Sequence, residues 1–176
     1  MSGGVPPRPG WQLPEPTEAE KAVVLAFLNR PDRKTRREAV IRALRDRLDR
    51  LMLPMGFVRD GADWERDLPA GQARVAIQRF SGGVNATLVV AFVPKRRPAH
   101  VHADRLWTQL PNFVLTGEHR FARDGTIHYA LADHDAATMD FPLAVLRDRA
   151  LPWLLAHGQG DFPDLQDFRK RPLGEP

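Results

Sequence analysis

Apolar positions along this chain follow two different periods, and the change between them falls at Pro54-Met55-Gly56. Before that point the spacing is helical. Thr17-Glu18-Ala19-Glu20 places a hydroxyl where an N-cap needs an acceptor and a carboxylate three residues on, the reciprocal signature of a helix start. Val23, Val24, Phe27 and Leu28 follow, and Pro31 predicts the stop. Thr35-Arg36-Arg37-Glu38 repeats the signature and predicts a second helix opening there. Val40, Ile41, Leu44, Leu48, Leu51 and Met52 form its single apolar stripe.

After Gly56 the period shortens to two. Phe57-Val58-Arg59 and residues 62–66 flank Asp60-Gly61, a hairpin signal. Leu68-Pro69-Ala70-Gly71 is a second turn and Ser81-Gly82-Gly83 a third. Between these, Val75, Ile77 and Arg79 share one face of a strand and Arg74, Ala76, Gln78 and Phe80 the other. Residues 84–93 predict the most buried strand, since Leu88, Val89, Val90 and Phe92 run almost without interruption. Residues 101–110 suggest a short helix with Leu106, Trp107 and Leu110. Asp124-Gly125 marks another hairpin, after which Ile127, Tyr129 and Leu131 alternate. Asp133 or Asp135 caps a last helical region, whose second part Pro142 opens at a first-turn position, with an apolar face from Leu143 to Leu155 that Gly158 ends.

The fold class expected is α+β: N-terminal helices, an antiparallel meander sheet of about five strands, and C-terminal helices packed on one face. Residues 1–16 hold five prolines and predict an extended arm, with Trp11 and Leu13 able to dock. Residues 17–158 form one domain. Residues 159–176 are a tail that Phe162, Leu165 and Phe168 could pin down at a helix-like spacing.

Composition narrows the classes of function. With 176 residues, 43% of them apolar, the chain is long enough for a real core. No run of 18 apolar residues exists, and the first residues lead into prolines, so the expectation is a soluble cytoplasmic protein with no membrane span and no secretory signal. Zero cysteines removes disulfides and thiol chemistry. The net charge of +4 is small, and Arg supplies 22 of the 26 cations, a bias that fits a GC-rich bacterial genome. Cations concentrate in residues 30–50, nine against four acids, so nucleic acid is a possible partner through Arg36, Arg37 and Arg42. A solvated helix face with Arg and Asp at pairing distance explains the same run, and nucleic acid is not the favoured partner.

Chemistry-bearing residues are sparse. Six histidines include His100-x-His102, His119, His128 and His134, but no HExxH or other complete ligand set accompanies them. Ser2 and Ser81 are the only serines, with no nucleophile elbow, and no phosphate loop is present. Asp60, Asp63, Glu65 and Asp67 cluster on the first hairpin, where alternation with Arg59, Trp64 and Arg66 suggests cross-strand ion pairs facing solvent. No catalytic residue, metal or cofactor is assigned. A small enzyme with a His and carboxylate cleft near residues 101–110 stays open as an alternative.

The order of motifs resembles the uncharacterised bacterial family called domain of unknown function 4304. The segments that carry it are Leu51 to Phe57 (LMLPMGF), Trp64-Glu65-Arg66, Val75 to Gly83 (VAIQRFSGG), Asn85 to Phe92, His100 to Leu110 and Leu146 to Leu155, spread over residues 36–157. Trp107 departs from that pattern, which has glycine there. The resemblance implies one α+β domain and no assigned activity. Together these readings favour a noncatalytic binding or protein-interaction module with an unknown protein or small-molecule partner. Its expected surface is Trp64, Arg66, Arg74, Gln78 and Arg105, because Trp and Arg are favoured interface anchors.

Overall fold

The computed structural model describes residues 15–80, 83–96, 99, 106–120 and 123–175. It is an α+β fold in which helices from both ends of the chain cover one side of an antiparallel sheet. Trp11, Leu13, Ser81, His100, His102 and Arg105 lie outside the described residues.

Helix α1 spans Glu18–Leu28 and starts as the sequence predicts. The Thr17 hydroxyl accepts the Glu20 N–H at 3.2 Å, and the Glu20 carboxylate accepts the Thr17 N–H at 2.7 Å. Helix α2 spans Arg33–Met52, with Asp32 at its N-cap and the predicted cap Thr35 inside the first turn. Asp32 stands at its N-cap without capping it, because Arg30 and Arg36 hold that carboxylate at 2.8 and 2.9 Å. The two guanidiniums depress the Asp32 pKa far below the carboxylate range. A tight turn over Leu53–Met55 follows, and Gly56 takes the left-handed φ of 82° that ends it.

Strands β1 (Val58–Asp60), β2 (Asp63–Leu68), β3 (Gly71–Arg79) and β4 (Asn85–Pro94) form the meander. Asp60 pairs with Asp63 around a two-residue turn, and Gly61 supplies the positive φ at its first central position. Leu68 pairs with Gly71, leaving Pro69-Ala70 as the second turn. A Cβ on Gly71 would collide with the Val93 carbonyl, so the approach of β3 to β4 there requires glycine.

The far edge of β4 is shared by two short strands. β5 (Trp107–Gln109) pairs with Val89–Ala91, and β6 (Thr126–His128) pairs with residues 85–87. Two expectations change here. Residues 107–109 are strand where a helix was expected, because β4 offers them an edge. The alternation after Gly125 stops at His128: Tyr129 and Leu131 belong to helix α3 (Tyr129–His134), which packs on α1 and α2.

The chain ends in a long helical run of α4 (Asp140–Val145), a wide π turn (Leu146–Ala150) and α5 (Leu151–Gly158), then α6 (Leu165–Arg169). Pro152 has no N–H to return to the carbonyl four residues back, and the π turn directly before it absorbs the break. Phe168 is buried, with Phe162 and Leu165 packed against the core, so the tail is pinned as expected. Ile41, Leu44, Leu48 and Met52 of α2 and Leu151, Trp153 and Leu154 of α5 meet Trp64, Val75, Leu88, Val90 and Phe92 of the sheet in one core. Burying each of these side chains contributes about 1.5–3 kcal/mol. No helix among the described residues is long and apolar enough to cross a membrane.

Candidate binding surface

Helices α2 and α5 meet the Trp64 side of the sheet in the core. Register then places every second residue on the other side. Val58, Glu65, Arg74, Ala91 and Trp107 form one row across β1 to β5, and Asp60, Asp63, Ala76, Val89 and Gln109 the next. Asp67, Gln72 and Val93 lie beyond them. The part of this face around Val58, Val93 and Trp107 is open, at 71%, 58% and 50% exposure, whereas Val89 and Thr87 on the same side of β4 are buried.

The face combines an apolar half with an acidic half. Trp107, Ala91 and Val93 lie along β4 and β5. Asp60, Asp63, Glu65 and Asp67 lie along β1 and β2, and Arg74 is the one cation in these rows. Arg74 of β3 bonds the Asp63 carboxylate and stands 3.8 Å from Glu65, whereas Arg59 and Arg66, expected to pair across the first hairpin, lie on the Trp64 side, where Arg59 bonds Asp49. Asp60 and Asp63 are directly opposite, an unfavourable like-charge pair.

The expected surface divides between the two faces. Arg74 and Gln78 are on the open one, and Gln78 accepts a 2.8 Å hydrogen bond from the Gln109 side chain. Trp64 is not an exposed anchor. It is fully buried, its indole N–H donates to Asp49 Oδ1 at 2.9 Å, and Arg59 lies over its ring with its own bond to Asp49 at 2.7 Å. A buried indole needs that acceptor, and α2 supplies it. Arg66 shares the helix-covered parity and lies over Gly56. Trp107, the residue that departs from the resembled pattern, occupies the place expected of Trp64.

The arginines proposed for nucleic acid do not form a common surface. Arg36 is held by Asp32 and, at 3.2 Å, by Asp133. Arg37 is half-buried beside Gly83. Arg42 alone is fully outward, and Asp46 is exposed with it on that face of α2.

The histidines are dispersed. His128 lies 3.6 Å from the Asp124 carboxylate. His157 is in the core, its Nδ1 donating to the Trp153 carbonyl at 2.9 Å, and burial lowers its pKa. Among the described residues no group of three His, Asp or Glu could hold a metal ion.

One constellation escaped sequence reading altogether. Arg149 is 2% exposed, yet it donates to the Arg171 and Phe113 carbonyls at 2.8 and 2.9 Å and clasps both Glu118 oxygens at 2.6 and 2.8 Å. This guanidinium holds Glu118 below its ordinary pKa and ties the π turn to residues 113–118 and to the tail. A segment 31 residues away in sequence supplies the acid, so no local pattern announces the pair.

Comparisons with protein-family models, curated proteins and solved structures found no match.

Proposed function

We propose that this chain is a noncatalytic binding module that takes a basic protein segment across its open sheet face. The observation that carries the reading is Trp107, half-exposed at the apolar edge of a face whose other half has four carboxylates and one arginine. A large aromatic side chain beside apolar neighbours is a favourable anchor for one apolar residue of a partner. Cations flanking that residue would meet Asp60, Asp63, Glu65 and Asp67 and relieve the Asp60–Asp63 opposition.

The test is fluorescence anisotropy with a labelled peptide carrying several Lys or Arg around one Leu. Trp107→Ala and Glu65→Lys should each weaken binding about tenfold or more, with thermal unfolding unchanged. Binding that ignores both substitutions overturns the reading.

A further inference from the structure

Away from the sheet, three adjoining hollows of about 340, 500 and 360 Å³ run along the helical layer. The first and second share Asp140 and Ala144, and the second and third share Arg123, Phe141 and Leu173, so they form one trough. Its apolar floor comes from Leu51, Leu143, Phe141 and Leu173.

The walls are strongly basic once internal pairing is subtracted. Asp140 is held by Arg47 at 2.6 Å, Glu118 by Arg149, and Arg147 is taken by Asp148 at 2.7 Å. Asp135 caps the turn at Ala137 and is the one lining acid with no cationic partner among the described residues. Five lining cations remain with no acidic partner among the described residues: Arg50 in the first hollow, Arg123 shared by the second and third, and Arg120, Lys170 and Arg171 in the third. All five are exposed. Arg123 and Arg171 are steadied by Phe141 and Phe168, whose ring centres lie 4.8 and 4.2 Å away.

We infer that this trough binds the phosphodiester backbone of single-stranded nucleic acid. The cations are spread over all three hollows, so a compact anion would meet only one group of them, whereas a chain of phosphates meets the series. Apolar floor between cations is chemistry for unpaired bases, while a duplex offers only its phosphates. The site is distinct from the sheet face and meets α2 only at its C-terminal end, through Arg47, Arg50 and Leu51.

The test uses the full chain and a labelled single-stranded RNA oligonucleotide, followed by anisotropy between about 50 and 200 mM salt. Five phosphate contacts predict a log–log salt slope of about −3.5. Arg50→Gln and Lys170→Gln should each weaken binding about fivefold near 0.1 M salt and reduce the slope by about 0.7, while Arg42→Gln and Trp107→Ala change neither. Unchanged thermal unfolding of these surface variants shows that they fold. The inference is overturned by any of four outcomes: no salt-dependent binding, loss confined to Lys170→Gln (a compact anion site), duplex binding as tight as single strand, or a polyglutamate competitor as effective as the oligonucleotide.

Discussion

The open sheet face and the helical trough carry opposite charge on one small chain. On the sheet, alternation puts four acids and one arginine on the same side as Trp107. In the trough, Asp140, Asp148 and Glu118 are already bonded to Arg47, Arg147 and Arg149, which leaves five exposed cations without acidic partners among the described residues against the one unpaired acid Asp135. The small net charge of +4 thus hides two unlike surfaces. Total charge says little about partners; which charges are already neutralised inside the fold says more. The two regions are also held differently. The sheet face is the back of an apolar core, while the trough wall hangs on the pair of buried Arg149 with half-buried Glu118.

That contrast can be broken most sharply at Arg149. Arg149→Ala leaves Glu118 and two carbonyls without their donor and should cost about 3–5 kcal/mol in urea unfolding. Arg149→Met with Glu118→Leu should recover most of that loss, since an apolar pair of similar volume avoids the unpaired charge. A loss under about 1 kcal/mol for the single variant would mean that the trough wall does not depend on this pair.

The second comparison sets the two tryptophans of the sheet against each other. Trp64→Ala should destabilise by about 3–5 kcal/mol, since it empties a buried site and strands the Asp49 contact. Trp107→Ala should change stability by no more than about 0.5 kcal/mol and show itself in binding. Equal losses would mean that the open face is part of the core.

The smallest effect concerns pH. His157 is buried neutral with a lowered pKa, so the unfolded chain binds its proton more readily. Its contribution is full above about pH 6.5 and is lost as pH falls below that value. Thermal unfolding scanned from pH 7.5 to pH 5.5 should show this decline, and His157→Leu should flatten it. A flat wild-type profile would place His157 in contact with water.

Much of the fold was legible in local pattern. The Thr17 capping box, the α2 stripe, the hairpins at Gly61 and Ala70, and the Phe162–Leu165–Phe168 anchor depend on residues close in sequence, and each formed. Alternation also gave the period of β2 and β3. It did not say which face of β2 the helices would cover, because Trp64 and Arg66 are flanked by acids and read as a solvent row. Strand β5 was missed because a three-residue strand exists only where another strand's edge receives it.

The sequence by itself therefore determined the α+β class, the meander and the scarcity of catalytic groups, all matters of composition and short-range spacing. The tertiary structure alone decided that Trp64 is buried while Trp107 is exposed, that Arg36 is spent on Asp32 and Asp133, and that Arg149 finds Glu118. The physical reason is common to all three. Burial and charge neutralisation depend on which distant segment arrives opposite a side chain, and no local period encodes that partner.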